Sequence, residues 1–315
     1  MEMMILSTIR TIFEDGLFDV NSKTPIGHLR GFEVLGDTFP RALMNVARIF
    51  RKAHGHPPDL LNPTLFSEMI LLHRFFGLFP DFSPTDKILS KRFIEGFKGG
   101  KIQFLQRPMI LDHPILPHAE DLAAGSYWLK SNYGSGANLK IDWPILESER
   151  KSIEALLQSW QNRKHAPKQH LWWNELTERK IIIEQDISSQ NEKTADDWKF
   201  HVINGRVFIF QHDEARTAKH RQTLYTRNGK RSPYALYGEP ADIGSRPKNL
   251  ATMIDAAEFV GQNFDYIRVD FFEFEGDVYF TELGPIPTGG RQAIRSKELD
   301  IQMGRAFSPA WLRQP

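Results

Sequence analysis

Two hairpin signals in the second half of the sequence constrain the fold most. Residues 198–203 and 207–211 are apolar-rich runs that flank Asn204-Gly205, the pair that best suits a type I′ turn. Residues 266–275 and 278–282 flank Gly276 in the same way, and an apolar helical pattern over 251–263 lies between the two hairpins. Strands that pair through hairpins, with helices between them, predict an α+β fold rather than a parallel α/β sheet.

Composition and charge exclude several classes of protein. The chain has 315 residues, enough for roughly two domains, and its 41% apolar content is ordinary for a globular protein. It contains no Cys, which excludes disulfides, Cys-ligated zinc and a thiol nucleophile. The net charge of +1 offers no global field for nucleic acid, so no nucleic-acid partner is expected and any anion site must be local.

The N-terminal sequence lacks the marks of a targeting segment. Its apolar run is short, acidic Glu14 and Asp15 follow it, and a signal peptide's basic start and small-residue cleavage site are missing. No stretch reaches the roughly 20 apolar residues that span a membrane. We therefore expect a cytoplasmic protein without a membrane span.

Three segments are predicted from the pattern along the chain. Residues 1–84 are expected to be mainly helical, because 41–52 and the stretch after Asn62-Pro63-Thr64 show helical apolar spacing. Residues 85–185 begin with a possible helix over 85–97 and continue with short strands at 102–105, 127–130 and 180–185 and a helix at 148–160. Residues 186–315 contain the two hairpins.

Two carboxylates on the second hairpin are candidate metal ligands. Asp270 shares a strand face with Arg268, and Glu282 on the next strand can approach Asp270. Two adjacent carboxylates repel unless a cation separates them, and oxygen ligands suit Mg²⁺. The alternative is that both are solvated charges, or that Asp270 only pairs with Arg268.

A second group of residues suits phosphate or nucleoside binding. The loop 130–136, KSNYGSG, has glycines that let backbone N–H groups approach phosphate, and Lys130 adds charge, although an ordinary surface turn explains it equally. Other polar positions are open to the same two interpretations, a ligand contact or a solvated surface: Lys87 and Lys91, Glu184 and Gln185 after a buried strand, Asp197 and Lys199 at a strand start, and Arg216 in a small basic cluster.

The order of these motifs resembles that of ATP-grasp enzymes, most closely the TupA-like branch. The resemblance covers about residues 62–290. It is carried by NPTLFSE (62–68), DWKFHVING (197–205), HRQTLY (220–225) and IRVDFFE (267–273), together with Lys87, the Lys130 loop, Glu184 and Glu282.

The resemblance implies an ATP-grasp fold, in which two α+β subdomains clamp ATP with Mg²⁺. In that fold Lys87, Lys130, Ser135 and Gly136 would meet the phosphates, and Glu184 and Gln185 would lie at the hinge beside adenine. Asp197, near Lys199, would hold the ribose, and Asp270 and Glu282 would bind Mg²⁺. Arg216 would act near the transferring phosphate, and Arg268 or Arg291 would hold an oxyanion.

The implied activity is an ATP-dependent carboxylate–amine ligase that works through an acyl-phosphate. Its partners would be small-molecule carboxylate and amine substrates, and the branch suggests a saccharide-linked or amino-acid precursor of the cell envelope. Many ATP-grasp enzymes have Glu-x-Asn where this chain has Glu282-Leu-Gly284, so a third oxygen ligand is missing and a second metal is in question. An ATP-grasp kinase and a non-catalytic nucleotide-binding module stay open as alternatives.

Overall fold

The structure is a computed structural model that describes residues 30–163, 170–188, 195–213, 221–241 and 246–309. Its helices, in chain order, are α1 (Arg30–Leu35), α2 (Phe39–His54), α3 (Phe66–Phe76), α4 (Glu147–Asn162), α5 (Leu250–Gly261) and α6 (Lys297–Ala306). Its strands are β1 (Gln103–Phe104), β2 (Met109–Leu111), β3 (Gly125–Ser131), β4 (Asn138–Trp143), β5 (Ile181–Gln185), β6 (Asp196–Ile203), β7 (Arg206–Asp213), β8 (Arg221–Thr226), β9 (Glu239–Pro240), β10 (Tyr266–Phe274) and β11 (Asp277–Gly284). Every helix in the described ranges is too short or too polar to span a bilayer.

The residues described before position 85 form helices that are joined by turns and loops. Helices α1, α2 and α3 form there, and the described residues 30–84 contain no strand. Helix α2 buries the stripe of Leu43, Val46, Ala47 and Phe50 that its spacing predicts. Leu43, Val46 and Phe50 belong to a core that reaches Tyr266 on β10 and Met303 on α6. The helical segment is therefore packed onto the strands that carry the site.

The predicted helix over 85–97 is wrong, because only Leu89–Phe93 forms a short 3₁₀ helix there. The Asp86 carboxylate accepts the N–H groups of Ile88 (2.8 Å) and Leu89 (3.2 Å), which favours a tight turn. The N–H of Lys87 donates to the carbonyl of Asn132 at 2.7 Å. This segment is consequently a turn that is tied to the loop after β3.

A four-stranded sheet has the order β2-β5-β3-β4, with antiparallel neighbours. The predicted strand around three consecutive isoleucines is β5, and Ile181, Ile182 and Ile183 are fully buried. Helix α4 packs on this sheet through Leu157 and Trp160. The loop 132–137, between β3 and β4, projects from this sheet.

A seven-stranded sheet has the order β1-β11-β10-β6-β7-β8-β9 and contains both predicted hairpins. The β6–β7 turn has Asn204 at φ 48° and Gly205 at φ 73°, the left-handed pair that a type I′ turn requires. Helix α5 covers one face through Met253, Ala257 and Val260. The N-terminal helices cover part of the other face, and the rest of that face carries the charged residues of the site.

Candidate active site

Asp270 and Glu282 lie directly opposite each other on β10 and β11, as the hairpin predicts. Arg268 stands between them: its Nε and Nη2 donate to the two oxygens of Asp270 at 2.7 and 2.6 Å. Nη2 also lies 3.5 Å from Oε1 of Glu282. The Arg268–Asp270 ion pair, which was the alternative interpretation, therefore forms. It involves Asp270, which is also one of the two proposed metal ligands.

The environments of these two carboxylates differ. Asp270 is buried, and burial raises its pKa above the usual value. The positive charges of Arg268 and Lys199 act to lower this pKa, but burial outweighs them. The Glu282 side chain is 36% exposed. Burial alone would raise the pKa of Glu282, but Lys87, Arg268, Lys199 and Lys130 outweigh it and hold that pKa below its usual value. Glu282 is consequently the carboxylate of the pair that stays ionised most readily.

Lys199 lies beside Asp270 on the neighbouring strand β6, in direct register with it. Its Nζ makes ion pairs with Asp197 and, at 3.1 Å, with Asp213 at the end of β7. Burial alone would lower the pKa of Lys199, but Asp197, Asp270 and Asp213 raise it above its usual value. Lys199 is therefore a permanent cation within a group of carboxylates.

Lys130 and Glu184 are joined across β3 and β5 of the smaller sheet. Lys130 Nζ donates to Glu184 Oε1 at 2.5 Å, and Arg107 Nε donates to Oε2 at 3.0 Å. Burial would raise the pKa of Glu184, but the two cations lower it. Both oxygens of Glu184 thus hold cations, and the carboxylate fixes the position of Lys130.

The loop 132–137 carries the predicted Ser135 and Gly136 at an exposed tip. Gly134 and Gly136 have positive φ values of 65° and 76°, which glycine adopts without strain. Lys87 Nζ donates to the Gly134 carbonyl at 2.8 Å. Burial lowers the pKa of Lys87, although Glu282 and Glu184 oppose the shift.

Charged residues of the two sheets act on one another. Lys87 and Lys130, at the smaller sheet, are close enough to Glu282, on the larger sheet, to lower its pKa. Lysines of one sheet near a carboxylate of the other are suited to a nucleotide triphosphate with a divalent cation.

The remaining predicted residues lie at the margins or outside the described chain. Gln185 is half-buried at the end of β5, and its N–H donates to the Gln106 carbonyl at 2.9 Å. Arg291 is exposed, and its Nε donates to the Thr288 carbonyl at 3.2 Å. Arg216 lies outside the described residues.

Sequence reasoning missed Arg107 and Asp213. Arg107 lies in the short connection between β1 and β2, and it also donates from Nη1 to the Lys87 carbonyl at 2.5 Å. No sequence motif marks it. Asp213 could have been found from the sequence. The predicted strand ended at residue 211, whereas β7 continues to Asp213. Because residues two apart in a strand share a face, a strand of the correct length places Asp213 on the same face as Gln211.

A family model described as TupA-like ATPgrasp matches residues 79–308, nearly three quarters of the chain. The chain belongs to the TupA-like ATP-grasp family. The predicted ATP-grasp fold of α+β class is therefore confirmed. No curated protein sequence matches the chain.

Several solved structures are similar to this family member. They include the ATP-grasp ligase PsnB complexed with minimal precursor, with 13% identity, a TM-score of 0.38 and coverage of 70% of this chain and 59% of that chain. The D-alanine–D-alanine ligase from Bacillus anthracis has 15% identity, a TM-score of 0.40 and coverage of 70% and 62%. The corresponding ligase from Helicobacter pylori has 14% identity, a TM-score of 0.40 and coverage of 71% and 61%. The chain spans about three fifths of the length of these proteins.

The carboxylates Asp270 and Glu282 form a donor set that fits Mg²⁺. Asp270 and Glu282 supply oxygen ligands only, and the guanidinium of Arg268 places positive charge between them. Among the described residues, no three His, Asp or Glu side chains are grouped to hold a metal. Two carboxylates are nevertheless sufficient, because Mg²⁺ usually takes one or two from the protein and completes its shell with water and phosphate oxygens.

Proposed function

We propose that the chain is an ATP-dependent ligase that joins a carboxylate to an amine through an acyl-phosphate. The observation that carries this proposal is that Lys87 and Lys130 of the smaller sheet act on Glu282 of the larger sheet, which lies opposite Asp270 on the neighbouring strand. Family membership supports the nucleotide as ATP.

In the proposed reaction, a substrate carboxylate oxygen attacks the γ-phosphorus of ATP and the bond to the β-phosphate oxygen breaks. ADP leaves, and the product is an acyl-phosphate. Lys87 and Lys130 neutralise charge on the transferring phosphoryl group, and we place Arg216 in the same role. Mg²⁺, held by Asp270 and Glu282, would supply further neutralisation of the phosphate oxygens.

The second step forms the amide. An amine attacks the acyl carbon, inorganic phosphate leaves, and the nitrogen loses a proton. We assign Arg268 or Arg291 to the developing oxyanion, since each carries a guanidinium group and Arg268 pairs with Gly284 at the end of β11. Closure of the loop 132–137 would exclude water, which otherwise hydrolyses the acyl-phosphate.

The remaining predicted site residues bind the nucleotide or position a residue that binds it. Glu184 is a positioning residue for Lys130, because its carboxylate holds that ammonium group directly. Gln185 lies at the connection where adenine would be bound, and Asp197 is the candidate for the ribose hydroxyls. Ser135 and Gly136, at the loop tip, would cover the triphosphate.

The substrate is proposed by chemical class alone. We infer a small carboxylic acid or amino acid, or a uronic acid on an envelope saccharide, and a cytoplasmic location where ATP is available. In the stretch 285–291, the backbone N–H groups of Gly289 and Gly290 and the positive charge of Arg291 are suited to binding a substrate carboxylate.

The test is an incubation with ATP, Mg²⁺ and a panel of amino acids and uronic acids, with hydroxylamine as the amine. We expect one class of acid to increase ADP release and to yield a hydroxamate together with inorganic phosphate. A phosphorylated product without inorganic phosphate would identify a kinase instead. Lys130→Met should remove the activity, whereas Lys98→Met, at an exposed position, should retain it.

Nucleotide binding without ADP release, whichever acid is added, would contradict the ligase assignment. Nucleotide binding would then be the sole property left, as in a non-catalytic module.

A further inference from the structure

A small pocket lies between the N-terminal helices and the turn that follows β11. Helix α3 contributes Ser67 and Arg74 to its lining, and the turn contributes Pro287 and Gly290. The family model matches residues 79–308, so helix α3 precedes the matched part of the chain. The pocket therefore combines residues of the ATP-grasp region with a helix that lies outside the family match.

Arg74 places a guanidinium group in this pocket. The residue is 2% exposed, and burial lowers its pKa to about 9, so it stays charged at neutral pH. Its backbone carbonyl accepts a 2.7 Å hydrogen bond from Nε1 of Trp172, which fixes this end of α3. A cation that is kept away from water attracts an anion more strongly than a surface cation, and a guanidinium can bind a carboxylate through two parallel hydrogen bonds. Arg74 is therefore suited to receive a carboxylate.

The turn after β11 brings its backbone against this guanidinium. Thr288, Gly289 and Gly290 have positive φ values of 52°, 63° and 69°. A β-branched residue such as Thr288 rarely adopts this conformation, and strain of this kind is concentrated at ligand sites. A Cβ atom at position 290 would overlap Nη2 of Arg74. The close approach of the turn to Arg74 thus requires glycine at this position.

The size of the pocket limits what can enter it. Its free interior is about 20 Å³, which has room for a carboxylate group or a water molecule and is too small for a sugar ring. The pocket can therefore hold the acidic end of a substrate, while the rest of that substrate lies outside it.

The pocket lies beside the candidate active site and is separate from the phosphate-binding lysines. Burial raises the pKa of Tyr237, which lines the pocket, and Arg268 is close enough to oppose that shift. The cations with the largest effects on the pKa of Glu282 include both phosphate-binding lysines and do not include Arg74. Because the reacting carboxylate must lie beside those lysines, a carboxylate at Arg74 is a different group.

We propose that Arg74 and the turn 287–290 bind a carboxylate that is not activated by ATP, so that one of the two substrates carries a free acidic group in addition to its reacting group. That substrate is either a dicarboxylic acid or an amine that is itself an amino acid. The inference rests on the proposed function, since it concerns the substrates of the ligase reaction.

The test measures the binding of small carboxylates by calorimetry in the presence of AMPPNP and Mg²⁺. Succinate, glutarate and adipate are compared with butyrate, and glycine and alanine are compared with glycinamide and alaninamide. We expect at least one compound with the additional carboxylate to bind about tenfold more tightly than its comparator, as is typical of a charged hydrogen-bond partner. A gain for a dicarboxylate assigns the second carboxylate to the acid substrate, and a gain for an amino acid assigns it to the amine substrate. No gain in either set would overturn the inference, whereas no AMPPNP binding would overturn the proposed function itself.

Variants test whether Arg74 is the cause. Arg74→Gln should remove the gain and leave AMPPNP affinity unchanged, and Arg41→Gln, at an exposed position of α2, is the matched control that should keep the gain. A folded Arg74→Gln protein that keeps the gain would overturn the inference. If Arg74→Gln does not fold, Gly290→Ala decides, because its methyl group would displace the guanidinium. Carboxylate binding that is unchanged in Gly290→Ala would overturn the inference as well.

Discussion

The ammonium group of Lys87 donates a 2.8 Å hydrogen bond to the backbone carbonyl of Gly134. This contact joins a lysine from the turn before β1 to the glycine-bearing loop between β3 and β4. The backbone of Lys87 is tied to the same loop through the Asn132 carbonyl. The lysine and the loop that we assign to the phosphates are therefore one structural unit, although 47 positions separate them in the sequence.

Replacing Lys87 should weaken nucleotide binding more than it alters stability. Lys87→Met removes a charged donor to phosphate, which typically contributes about 1.5–3 kcal/mol. Burial already disfavours its charged form, as the lowered pKa shows, so the folded protein loses little when the charge is removed. Calorimetry with AMPPNP measures the affinity, and Lys98→Met is the exposed control. Unchanged affinity in Lys87→Met would exclude Lys87 from the phosphate site.

Glu184 and Lys130 should behave as a coupled pair in nucleotide binding. If Glu184 acts by holding the Lys130 ammonium, Glu184→Gln should weaken AMPPNP binding in the wild-type background and have little further effect in a Lys130→Met background. A double-mutant cycle measures this coupling, and we expect an interaction energy on the order of 1 kcal/mol. Strictly additive effects would indicate that Glu184 contacts the nucleotide by itself.

His201 should make stability fall in mild acid. It is buried on β6, its ring nitrogens lie 2.9 Å from the Tyr266 hydroxyl and 3.0 Å from Gln211 Oε1, and burial lowers its pKa to about 4 from 6.5. Between these values the unfolded chain binds a proton that the folded chain excludes, so this contribution to stability is complete above pH 6.5 and is lost as the pH falls towards 4.

The expected loss at pH 5 is about 2 kcal/mol, from 1.36 kcal/mol for each pH unit below the unfolded pKa. Urea unfolding of wild-type protein and His201→Gln at pH 7.5 and pH 5 measures it. The variant should lose less stability than the wild type between the two pH values. Equal losses would show that His201 is not the group responsible.

The sequence predicted the parts of the fold that depend on local chemistry. Asn204-Gly205 defines a turn by backbone conformation alone, and strand alternation then places Asp270 opposite Glu282. The helix over 85–97 was predicted wrongly because the Asp86 carboxylate and Asn132, which form the turn, act through contacts that periodicity does not encode.

The site was predicted less completely than the fold. Arg107 could not be found, because its importance comes from reaching Glu184, 77 positions away, across the smaller sheet. The pairing of Asp270 with Arg268 was foreseen as an alternative to metal binding, and the structure contains that pair at the proposed ligands. A sequence shows that carboxylates share a face, but the position of the neutralising cation depends on how the side chains pack.

The most direct test of the account is calorimetric titration of ATP, with and without Mg²⁺, into the wild-type protein and Asp270→Asn. The account predicts Mg²⁺-dependent binding in the wild type that is lost in a folded Asp270→Asn variant, because the substitution removes the buried ligand carboxylate. Binding of equal strength in both proteins, or binding that does not depend on Mg²⁺, would contradict the assignment of Asp270 and with it the proposed metal site.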